Sequence, residues 1–164
     1  MRRVYEARVR FALGQPPTLQ QTEAANVWAR LRTLRIPLYI TEQTAHILQR
    51  RSPLFAAELL AQTLALKKGR YLRRWARRLR AEGVSPEDAI VVAYGSFGVD
   101  LQTQRVGADV IVTNDAKLAA IVRVRFATLR DHFAQMIGQL PEPYRQLALP
   151  IVLTTAEVLA ETEA

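Results

Sequence analysis

The spacing of hydrophobic positions changes along the chain, and the changes mark out the elements. Leu19, Ala24, Val27, Trp28, Leu31 and Leu34 recur at helical spacing, which predicts a helix from the N-cap Thr18 to about Arg35. Gly14-Gln15-Pro16-Pro17 breaks the chain before it and Pro37 ends it. Nearer the N-terminus Val4, Tyr5, Val9 and Phe11 lie among charges and suit a first strand of about four residues, with Glu6 just past it. Leu38-Tyr39-Ile40 reads as a second short strand ending at Thr41. That threonine caps the next helix, which has Glu42 in its first turn and His46 beside the apolar Ala45, Ile47 and Leu48. Pro53 to Lys68 and Arg70 to Glu82 read as a helical pair closed by Gly69 and Gly83, with Lys67 and Lys68 in the last turn of the first.

The second half is punctuated more sharply. Ser85 is an N-cap, Pro86 fits the first helical position, and Asp88 stands where a capping box returns a hydrogen bond. The helix they open runs through Ile90 to Tyr94, nearly apolar all round, so it is expected to be deeply packed, and it ends around Gly95 to Gly98. A Gly107-Ala108-Asp109 turn leads into Val110-Ile111-Val112, a β-branched run of the buried parallel kind, and Asp115 follows as N-cap of a helix over 116–122. Phe126, Leu129, Phe133, Met136, Ile137 and Leu140 then form an amphipathic stripe on a helix ending near Gly138, with His132 on its polar side, and Pro141-Glu142-Pro143 turns the chain. Short strands alternating with helices predict an α/β domain with a mostly parallel central sheet flanked by helices.

Composition narrows the chemistry. With 164 residues and 49% hydrophobic content, the chain fits one compact domain. It has no cysteine, which excludes disulfides, thiolate metal sites and a cysteine nucleophile and agrees with a reducing cytoplasm. No apolar run approaches the roughly 20 residues of a membrane span, and the N-terminus lacks a signal-peptide core. The net charge is +8, and apart from Lys67, Lys68 and Lys117 every cation other than the histidines is arginine. Guanidinium forks match phosphate oxygens, so this balance favours RNA or an acidic protein partner. The densest cluster is 71–82, where Leu72, Trp75 and Leu79 line one face and Arg73, Arg74, Arg77, Arg78 and Arg80 spread over the rest. Arg73, Arg74, Arg77 and Arg78 are the candidate nucleic-acid-binding residues, weighed against an ordinary solvated face.

The order of motifs in the second half resembles a PIN domain, a small α/β nuclease fold found in toxin ribonucleases and RNA-processing factors. The motifs are Asp88-Ala89 opening a helix, the Gly107-Ala108-Asp109 turn, a strand ending Thr113-Asn114-Asp115, and Pro150 to Glu157 with its Pro-x-x-x-Thr-x-x-Glu pattern. The resemblance implies one three-layer domain over 1–164, with a helical insertion at about 123–147. It also implies acidic residues around Mg²⁺ or Mn²⁺ that activate a water for cleavage of an RNA phosphodiester. Asp88 and Asp115 match the third and fourth acids, and Glu6 the first, within Val-Tyr-Glu-Ala-Arg-Val. This first motif departs from the family, since Glu6 stands for the usual aspartate and Arg8 for a small polar residue. The second acid aligns with His46, or with Glu42 one turn earlier. Asp109 is read as bonding local backbone amides. The expected function is a metal-dependent ribonuclease with Asp88, Asp115 and Glu6 as catalytic metal ligands. The alternative is a non-catalytic PIN-like module that binds RNA or an acidic protein through the arginine-rich helix. An antitoxin partner and a homodimer are both compatible with the resemblance.

Overall fold

The computed structural model describes residues 1–51 and 53–163, and the protein is α/β. By its contacts the chain divides into two compact units: Met1–Ala65 with the segment from Thr155 onward, and Leu66–Thr154.

The first unit begins with a helix where a strand was expected. Helix α1 spans Arg2–Ala12, and its buried Val4, Tyr5 and Ala7 fall on one side at helical spacing. Helix α2 (Leu19–Thr33) starts as predicted in a complete capping box: Gln21 N donates to Thr18 Oγ1 and the Gln21 side chain accepts from Thr18 N. Strand β1 (Tyr39–Thr41) is followed by helix α3 (Glu42–Arg51), whose Thr44 N donates to Thr41 Oγ1, so Thr41 caps as expected. Helix α4 (Pro53–Leu60) is shorter than predicted. The chain extends after Thr63 into strand β2 (Leu64–Lys67), so Lys67 lies in a strand and not in a last helical turn. Helix α9 (Thr155–Glu163) completes this unit against α2, where Arg30 Nη2 donates to Thr162 O at 2.6 Å. The core gathers Val4, Tyr5, Ala24, Trp28, Leu48, Ala56 and Leu59.

The second unit is built on helices α5 (Leu72–Ala81), α6 (Pro86–Phe97), α7 (Ala116–Val124) and α8 (Phe126–Ile137). Its strands are the end of β2, then β3 (Val99–Asp100), β4 (Val110–Thr113) and β5 (Ile151–Thr154). Leu66 and Lys67 pair antiparallel with Asp100 and Val99, while β4 and β5 run parallel in the register Val110↔Ile151 to Thr113↔Thr154. The described strands group into a three-stranded and a two-stranded sheet. Trp75, Phe97 and Phe133 form the aromatic centre of the core, with Trp75 edge-on to Phe133 at 5.0 Å between centroids.

Two expectations of burial are only half met. On β4, Ile111 packs on the core while Val110 and Val112 are 42% and 38% exposed, because a strand's side chains alternate and only one face of this pair is covered. On α6, Ala89, Val92, Ala93 and Phe97 are buried but Ile90 and Val91 are exposed, as on a helix packed on one side.

Candidate functional site

The helical start changes the surroundings of Glu6. On α1 it lies one turn from Arg2 and Arg3, and its carboxylate accepts from Arg2 Nε at 2.7 Å, Arg3 Nη1 at 3.2 Å and Gln21 Nε2 at 3.3 Å. Both oxygens are therefore engaged by local donors, and Glu6 is not at the end of a strand. Arg8, the departure noted in the same motif, pairs with Glu58 on α4. Partial burial works to raise the Glu6 pKa, but the hydrogen bonds from Arg2 and Gln21 and the charges of Arg2 and Arg3 outweigh it and hold the carboxyl below its ordinary value. A depressed folded pKa contributes stability above the unfolded pKa that is lost as pH falls through the folded one. Glu6→Gln is thus expected to destabilise by less than about 1 kcal/mol at pH 7, given screening at this partly exposed site. The difference from wild type should shrink as urea melts are taken to acid pH, and a constant difference would contradict this account.

Asp88 and Asp115 sit at helix starts, each with a visible local role. Ser85 caps α6 by accepting from Asp88 N at 3.2 Å, and its hydroxyl donates to Asp88 Oδ2 at 2.7 Å. Asp88 thus accepts from the Ser85 hydroxyl and not from its backbone N–H, so the expected capping box is only half formed. Asp115 caps α7, with Oδ1 accepting from Lys117 N at 2.8 Å and Leu118 N at 3.1 Å. Gly98 O accepts from Gly107 N and Gly95 O from Ala108 N, and a Cβ on Gly95 would come within 2.5 Å of Ile111 Cδ1. These contacts set the Gly95 end of α6 against the start of β4.

His46 is exposed on α3, Glu42 lies in the first turn of that helix, and Asp109 pairs its side chain with Arg105 Nη2 at 2.6 Å instead of with backbone amides. Among the described residues, no three His, Asp or Glu side chains gather into a group that could hold a metal ion. With one oxygen of Asp88 and one of Asp115 already bonded locally, the donor set of the second unit is short of the six oxygens that Mg²⁺ prefers, and water would have to complete it.

No protein-family model, curated protein or solved structure matches the chain.

The basic helix is as amphipathic as its sequence predicts. Leu72, Trp75, Ala76 and Leu79 are buried, and Arg73, Arg74, Arg77, Arg78 and Arg80 are exposed. Among the described residues none of these five guanidiniums has a carboxylate partner, whereas Arg2, Arg3, Arg8, Arg105 and Arg125 all do. Arg74, Arg77 and Arg78 also line a groove of about 450 Å³ between α5 and α8, together with Ala81, His132, Gln135, Met136 and Gln139. His132 Nδ1 stands 3.3 Å from Glu82 Oε1, close enough for a charge contact but without hydrogen-bond alignment. By its sequence position His132 falls on the polar side of α8, with no motif around it to mark a site. That α8 lays this side along α5 is a tertiary fact with no local signal.

No described helix is long and apolar enough to cross a membrane.

Proposed function

We propose that the chain binds RNA through the arginine face of α5, with Arg73, Arg74, Arg77 and Arg78 on phosphates. The observation that carries this is the set of five exposed guanidiniums on one ten-residue helix, none matched by a carboxylate among the described residues. Charges of one sign left unpaired side by side repel each other, and a polyanion relieves that repulsion while releasing its condensed counterions. RNA is favoured over an acidic peptide because planar forks on successive turns meet phosphate oxygens bidentately along a continuous backbone. The PIN-like three-layer arrangement is part of this proposal, supported by the order α6, β4, α7, β5 and the motifs those elements carry.

Fluorescence anisotropy with labelled RNA over a salt series tests the reading. Affinity should fall steeply with salt, and each of Arg74→Gln, Arg77→Gln and Arg78→Gln should reduce the log–log slope by about 1. Poly-glutamate of matched charge binding as tightly as RNA would replace RNA with an acidic protein partner, such as an antitoxin.

A second reading, metal-dependent ribonuclease, is supported by Asp115 directly after β4, at the carboxyl end of a strand that pairs parallel with β5, where open α/β sheets hold their ligands, and by Asp88 at the start of the preceding helix α6. Mg²⁺ or Mn²⁺ held by these two would supply Lewis acidity at a phosphate. Glu6, engaged by Arg2, Arg3 and Gln21, is the weakest of the three proposed ligands. Asp115→Asn separates the roles, because asparagine caps a helix as well as aspartate does but is a poorer cation ligand. Metal-dependent cleavage of the bound RNA, abolished in Asp115→Asn, establishes the nuclease; binding without cleavage in either form leaves the binding module.

A further inference from the structure

We propose that the α5–α8 groove seats one unstacked nucleotide of a single-stranded RNA, with its phosphate on Arg74, Arg77 and Arg78 and its base against α8. This rests on the RNA-binding reading above and adds a pocket to it. A bare row of arginines tracks any phosphate backbone, single or double stranded, whereas a concave site takes in a base only when that base has left its stack. The groove's volume of about 450 Å³ lies within the range of pockets that enclose small ligands.

The lining divides by chemistry. The α5 wall is cationic, and Arg74, Arg77 and Arg78 reach the groove from two successive turns, at spacings of three and four. The opposite wall carries Gln135 near the end of α8 and Gln139 in the turn just after it, both exposed, with four amide donors and two carbonyl acceptors between them. Primary amides with both functions match the mixed donor and acceptor edge of a base, which phosphate does not present. Met136 lies between the glutamines in sequence, is almost buried, and offers a soft apolar surface of the kind that packs on a flat ring. His132 closes the row one turn before Met136, its Nδ1 3.3 Å from Glu82 Oε1. A phosphate at one wall and a base-reading edge at the other are the two ends of a nucleotide.

The test compares a labelled single-stranded RNA with a blunt duplex of the same sequence by anisotropy, using wild-type protein and the double variant Gln135→Leu with Gln139→Leu. Both glutamines are exposed, so the variant is expected to fold, and matching circular dichroism melts check that it has. Wild type should prefer the single strand by about tenfold, in the range that one stacked base contributes. The variant should lose that preference while its duplex affinity stays unchanged. Excess nucleoside monophosphate should weaken single-strand binding by wild type more than by the variant. Equal binding of both RNAs, or a variant that keeps the wild-type preference, overturns the pocket and leaves the arginine face as a backbone-only binder. Failure of both RNAs to bind even at low salt overturns the RNA-binding reading itself, and the pocket with it.

Discussion

Trp75→Ala is expected to cost the protein about 3–5 kcal/mol, among the largest losses available to a single substitution here. The indole is fully buried on α5, meets Phe133 edge-on, and belongs to the cluster that also holds Phe97, Leu79 and Leu129. Its removal leaves a void that the rigid surroundings of two helices fill only partly. The effect should reach RNA binding as well, since Trp75 anchors the inner side of the helix that carries the five arginines. One feature sharpens the expectation: among the described residues the indole Nε1 is buried with no acceptor. Trp75→Phe keeps an aromatic ring against Phe133 and removes that stranded N–H, so its cost should stay below about 1.5 kcal/mol. Urea denaturation of the two variants checks the pair. Equal losses would mean that the ring packing is not what Trp75 contributes.

Gly69→Ala should be nearly as damaging, by about 3 kcal/mol or more, for a different reason. A Cβ built on Gly69 falls 1.8 Å from the carbonyl oxygen of Phe97, at the point where the chain passes from β2 toward α5 and crosses the end of α6. The obstacle is backbone, so no rotamer change relieves it. Gly95 is the useful control. Its added Cβ crowds Ile111 Cδ1 and Cγ1, a side chain that can shift, and reaches Pro150 Cγ only at an ordinary 3.5 Å, so Gly95→Ala is expected to cost about 1–2 kcal/mol. Reversal of this order in chemical denaturation would show that the Gly69 segment moves aside more readily than its buried position indicates.

What could be read from the sequence follows from where local chemistry decides the outcome. Thr18, Thr41, Ser85 and Asp115 cap their helices as expected, because a capping side chain acts on amides two or three residues away. The stripe on α8 and the strand at Val110 to Val112 were also legible, the first from periodicity and the second from a β-branched run beside a turn glycine, whereas its partner β5 is a matter of tertiary pairing. Gly107 holds a φ of +74° with Ser96 O close by, the kind of position for which that glycine is suited. The N-terminal segment was misread for the opposite reason. Val4 and Tyr5 are adjacent, few and surrounded by arginines, and such a short run carries little period of either kind. The helical outcome is set by burial against α2 and α4, and it moves Glu6 from a strand end to a helix face. Likewise Leu64 to Lys67 has helix-tolerant residues but forms a strand because pairing partners exist at Val99 and Asp100. The groove was invisible for a further reason. Arg74 and Arg78 on one helix, Gln135 on another and Gln139 just past its end become a site only when the two helices meet.

The division of the chain has a consequence for the order in which a ribosome can deliver it. The first unit takes its last helix, α9, from beyond the whole of the second, and α9 meets α2 through the Arg30 contact with Thr162 and the Thr155 contact with Glu23. Everything the second unit needs is contiguous and emerges as one stretch. During synthesis the later unit is therefore ready to fold first, while the earlier one waits with the α9-facing side of α2 bare until residues 155–163 clear the exit tunnel.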